Sequence, residues 1–70
     1  MMVTFRDKAG QVFDAREMSL VPRAGEGIVL DTRNYYVGAV THVIEGEEHS
    51  VNVTALEYEE ARRFLGGNPA

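Results

Sequence analysis

A mainly β domain, arranged as a small barrel of about five strands with one short C-terminal α-helix, is the fold class predicted by three features of the chain. Short β-prone runs recur between clusters rich in Gly, Pro, Asn and Asp, which are the residues of turns and loops. Residues 35–44 are the longest such run, rich in Tyr, Val, Thr and Ile, and carry most of the predicted core. After Thr54 the apolar period changes from that of a strand to that of a helix.

Val3, Thr4 and Phe5 alternate as a first strand, and Asp7-Lys8-Ala9-Gly10 supplies turn chemistry, so a hairpin is expected. Residues 11–18 continue as an alternating segment with Phe13 and Ala15 on one face and Val12 and Met18 on the other. This segment is polar enough for an edge. Residues 19–27 hold Pro22, Gly25 and Gly27 and read as a loop that shapes a sharp entry into Ile28, with Gly27 a candidate for positive φ. Ile28-Val29-Leu30 is a short strand ended by Asp31-Thr32-Arg33-Asn34. Gly38 is the expected bend of the long strand. Glu45-Gly46-Glu47-Glu48 turns the chain into a return strand over residues 50–54, where Val51 and Val53 share a face.

Thr54-Ala55-Leu56-Glu57 matches a capping box, in which Thr54 accepts from the Glu57 amide and Glu57 reaches back, so a helix is predicted over residues 56–65. Leu56, Tyr58, Ala61, Phe64 and Leu65 form its apolar stripe. Arg62 and Arg63 suit its C-terminal dipole, and Gly66 suits the position after its end. Pro69 prevents resumption, and residues 67–70 are expected to fray.

A chain of 70 residues forms one domain, residues 1–70, and buries only about 60% of the surface its unfolded form exposes. Without cysteine it has neither a disulfide nor a thiolate metal site, so association with another copy is the remaining source of added stability. No apolar run has the length of a membrane span and the N-terminal residues lack a signal-peptide core. A cytoplasmic location is expected.

The net charge of −4 is uneven. Arg6, Lys8, Arg16, Arg23 and Arg33 balance Asp7, Asp14, Glu17, Glu26 and Asp31, whereas Glu45, Glu47, Glu48, Glu57, Glu59 and Glu60 have no Lys or Arg among them. An acidic face of this kind either keeps a small domain in solution or docks a basic partner. The binding expectation rests on Glu45, Glu47, Glu48, Glu59 and Glu60.

The glycines of residues 24–27 do not make a phosphate loop, because such a loop opens onto a helix N-terminus and these lead into a strand, with no Lys-Ser or Lys-Thr following. His42 and His49 flank the second hairpin. If its turn centres on Gly46 and Glu47, Ile44 faces His49, His42 faces Val51, and the histidines are diagonal neighbours; a slip of one residue separates them. Two histidines and a mobile carboxylate fall short of the four ligands of a structural zinc site, so the sequence assigns no metal and no cofactor. Ser19 and Ser50 have no evident histidine and carboxylate pairing, and the adjacent carboxylates Glu47-Glu48 and Glu59-Glu60 have no cause for displaced titration. A non-enzyme is expected.

The pattern VPRAGEGIVL, YYVGAVTHV and HSVNV, spanning residues 20–53, resembles the small SH3-like barrels often encoded by bacteriophages and mobile elements, in which Pro-x-x-Gly-Glu/Asp precedes an apolar strand. That resemblance implies a fold more than an activity, since the family includes nucleic-acid binders, peptide binders and scaffolds. The functional expectation is a protein-interaction module, such as a phage-encoded inhibitor or adaptor docking a basic surface. The alternatives are a nucleic-acid binder using Arg23, Arg33, Tyr35 and Tyr36, which an acidic segment disfavours, and a homo-oligomeric component of a phage particle.

Overall fold

The computed structural model describes residues 1–58. Five strands follow in order: β1 (Met2–Arg6), β2 (Val12–Glu17), β3 (Gly27–Leu30), β4 (Arg33–Glu45) and β5 (Glu48–Glu57). They form one sheet in the order β2-β1-β5-β4-β3. All neighbours are antiparallel except β1 and β5, which run parallel.

The sheet curls into a half-barrel because its apolar residues share one face. Phe5 lies beside Val53 and Val3 beside Val51, while Val37 lies opposite Ala55. These six residues, with Leu30 and Tyr35, form the buried core, against which Met18, Val21, Ile28 and Val40 pack. Curling brings the two edge regions toward each other. Phe13 of β2 stacks on Tyr35 of β4 with ring centroids 5.3 Å apart, and Arg16 of β2 reaches Asp31, beyond β3, at 3.3 Å. Arg16 also holds Asp14 at 2.7 Å, and that hydrogen bond, aided by the charges of Asp14 and Asp31 against a smaller desolvation effect, raises its pKa above the ordinary guanidinium value. The N-terminal amine pairs with Glu17 across the start of the β1–β2 ladder.

Turn chemistry sets the hairpins. The Asp7 carboxylate accepts from the amides of Ala9 and Gln11, both at 2.9 Å, and so closes the first turn. Asp31 takes φ 50° in the β3–β4 turn, a region Asp tolerates better than most residues. Gly46 takes φ 61°, and with Glu47 forms a two-residue loop closed by the pair Glu45 and Glu48.

Four expectations require correction. Thr54, Ala55, Leu56 and Glu57 belong to β5, so the capping box does not form and no helix starts at Leu56. Long-range pairing with Val37, Tyr36 and Tyr35 and burial of Ala55 and Leu56 outweigh the local signal. Tyr58, just past β5, has helical backbone; the rest of the predicted helix, residues 59–65, and the tail 67–70 lie outside the described residues. Phe13 and Ala15 do not share a face, because a bulge puts both Phe13 and Asp14 against Phe5 and turns Phe13 inward, while Ala15 pairs with Thr4 outside. Positive φ falls on Gly25, at 91°, and not on Gly27. Finally, strand β4 begins at Arg33, shortening the turn to Asp31 and Thr32.

The bend at Gly38 is present as a register shift between Val37 and Val40. On the outer side of the sheet Leu56 lies over it, and a Cβ at Gly38 would stand 3.4 Å from Leu56 Cδ1. Among the described residues no helix is long and apolar enough to cross a membrane.

Candidate functional site

The acidic turn sits at the end of the longest hairpin. Strand β4 has 13 residues and β3 covers only those from Arg33 to Tyr36, so the β4–β5 hairpin runs on well past its flanking strand. Glu45 and Glu48 are direct cross-strand partners, with Glu47 in the loop between them, and all three are exposed. Like charges placed directly opposite oppose the ladder that holds them. None of the three has an ion-pair partner among the described residues. The turn therefore offers three carboxylates to a cationic surface at one point. Glu59 and Glu60, the other acidic residues expected to bind, lie outside the described residues.

Behind the turn, the register pairs Ile44 with His49 and His42 with Val51, as expected for a loop centred on Gly46 and Glu47. His42 Nδ1 and His49 Nε2 are 2.8 Å apart, and the rings are tilted by 44°. Such a bond needs one nitrogen as donor and the other as acceptor, so at least one ring is neutral while it lasts. No group of three or more potential metal ligands occurs among the described residues. Ser50 pairs with Val43 on the opposite face of the hairpin, directed away from the histidines.

The residues named for nucleic acid are not gathered on one surface. Tyr35 is buried beneath Phe13, whereas Tyr36 is on the other face, opposite Leu56 and near Tyr58 at a centroid distance of 5.7 Å. Arg33 donates to Glu57 Oε1 at 2.8 Å. Arg23 stands in the β2–β3 loop, where its amide donates to Glu26 Oε1 at 2.6 Å; its guanidinium has no ion pair among the described residues.

Sequence reasoning missed a cleft of about 380 Å³ at the other end of the half-barrel, lined by residues that include Asp7, Lys8, Phe13, Tyr35 and Glu57. Its aromatic floor depends on the Phe13 bulge. The adjacent apolar pair Val12 and Phe13 at a strand start was the available signal, since strict alternation cannot put both on useful faces. Comparison with known protein families, curated proteins and solved structures gives no match.

Proposed function

We propose that the chain is a non-enzymatic protein-interaction module that docks a basic partner surface through the turn between β4 and β5. The observation that carries this reading is the cross-strand pair of Glu45 and Glu48 with Glu47 between them, exposed and without cations among the described residues. A solubilising role is served equally by dispersed charge, whereas crowding three carboxylates on one hairpin end costs local stability and gains a concentrated field. The resemblance to SH3-like barrels is compatible with this role without selecting it, since that family includes peptide binders beside nucleic-acid binders and scaffolds. The small barrel then acts as a rigid base and the projecting hairpin as the contact.

The test is binding kinetics of the wild type and of the triple variant Glu45→Lys, Glu47→Lys, Glu48→Lys against a captured basic partner. Association by the variant should be slower by roughly tenfold or more at low salt, because complementary charge acts mainly on the on-rate. The difference should shrink at physiological ionic strength, where charges are screened beyond about 8 Å. Equal association rates at low salt would remove the turn from the contact. Salt-sensitive binding of RNA or DNA by the wild type would favour the nucleic-acid alternative, with Arg23 and Tyr36 the first exposed groups to replace.

A further inference from the structure

From Gly38 to Glu45 one edge of β4 has no neighbouring strand among the described residues. Strand β3 pairs only with Arg33 to Tyr36, and the loop then contributes bonds to Val37 alone, through Gly25 at 2.8 Å and Glu26 at 2.8 Å. Which backbone groups face this edge follows from the turn. Glu45 and Glu48 close a two-residue loop and are a hydrogen-bonded pair, so Val43 and Thr41 also bond to β5. The alternate residues Val40, His42 and Ile44 direct their N–H and C=O groups outward. Residues 39–44 contain no Lys or Pro, the usual guards of an exposed edge. Ile44 is 67% exposed.

We infer that this edge pairs antiparallel with the same edge of a second copy, on a two-fold axis at His42. The three outward-facing residues are themselves symmetric about His42. One operation therefore pairs His42 with His42 of the second copy and Val40 with its Ile44, and vice versa, satisfying every outward N–H and C=O of the three. Parity agrees, since Val40, His42 and Ile44 share a face and direct cross-strand partners must do so. The exposed Ile44 is covered by the second copy's Val40.

Charge also fits a second copy. Glu45 of one copy falls across from Ala39 of the other, so the two Glu45 residues lie six positions apart along the strand. At about 3.4 Å per residue this is roughly 20 Å, well beyond the screening length of about 8 Å. Each acidic turn ends beside the second copy's β2–β3 loop, where Arg23 has no ion pair among the described residues and the Glu26 carboxylate is held by the Arg23 amide. These end contacts rest on the docking role of the turn, with Arg23 as the basic surface. The strand pairing stands on the ladder alone.

The mass of the full chain in solution, measured by light scattering from roughly 10 μM to about 1 mM, should rise toward twice 7.8 kDa. His42→Pro removes the central outward N–H without removing a bond to β5 and should leave a monomer. Ile44→Lys puts an edge charge against Val40 and should weaken association by roughly tenfold or more, which keeps the test open should the proline variant not fold. His42→Cys gives a chain with a single thiol that should cross-link as a dimer on mild oxidation, whereas Ala15→Cys on β2 should not. Arg23→Glu should weaken the dimer, and adding the triple Lys change should restore it. A chain that stays monomeric to the highest concentration, or a dimer indifferent to both edge variants, overturns the pairing. If the monomer still shows turn-dependent binding to another basic surface, the docking role survives without it. An edge-dependent dimer indifferent to Arg23→Glu and to the triple change supports strand pairing and counts against the turn.

Discussion

Gly25 holds φ at 91° in the loop that leads into β3, and its amide donates to Val37 across the bend. An L-residue in the left-handed region is strained by about 1 to 2 kcal/mol, so Gly25→Ala should lower stability by that amount in urea titration. Gly27 is different. Its φ is not positive, and a Cβ there would meet Tyr36 Cε1 at 3.8 Å, an ordinary contact. Gly27→Ala should be neutral or stabilising by up to about 0.5 kcal/mol, since Gly weakens a strand by conformational entropy. Equal losses at both positions would contradict the loop conformation. The glycine and proline content of the loop was legible, but which glycine bears the strain was not, because that depends on how the loop docks on Val37.

At the scale of an element, the competition between helix and strand for residues 54–57 has a measurable consequence. If Thr54 capped a helix, Thr54→Ala would cost about 1 kcal/mol and up to 2. In β5 it is half-buried, on the outer face beside Arg6, with no capping role, and the loss should stay below about 0.5 kcal/mol. Leu56 is 8% exposed over Gly38 and opposite Tyr36, so Leu56→Ala should cost about 2 kcal/mol, the lower end of such truncations because its site is at the sheet surface. Thermal or urea unfolding of the two variants discriminates the assignments: a larger loss for Thr54→Ala would restore the helix. The β4–β5 hairpin had two alignments open to it from sequence alone, and the structure takes the one with a two-residue loop of Gly46 and Glu47, which puts His42 beside His49.

For the whole molecule, closure of the half-barrel rests on contacts between regions far apart in sequence. Phe13 and Tyr35 should show a coupling of about 0.5 to 1.5 kcal/mol in a double-mutant cycle with Leu at each position, as expected for stacked rings. Zero coupling would mean that the sheet lies open at this end. The Arg16 and Asp31 pair across the same seam is exposed and should add little. Phe5 is fully buried at the centre, and Phe5→Ala should remove about 3 to 5 kcal/mol. A core of this size supplies roughly 3 to 5 kcal/mol in all, so the variant should give the circular dichroism of an unfolded chain at 25 °C. A folded Phe5→Ala monomer would mean that the domain has reserves its core does not explain.

The β character, the approximate turn positions and the acidic end of the long hairpin were legible in the sequence, because each follows from local chemistry: turn residues, alternation, and the charges of neighbours in the chain. The bend at Gly38 was legible too, as a glycine within the longest β-prone run. Tertiary contacts set the continuation of β5 through residues 54–57, the inward turn of Phe13, and the length by which β4 outruns β3, with no strand beside it there among the described residues. Each of these depends on partners distant in sequence. A strand takes its final residues, its bulges and its free edge from whatever lies beside it, so a local capping signal at Thr54 yields once β4 supplies a ladder for the Ala55 and Leu56 backbone and a buried place for their side chains.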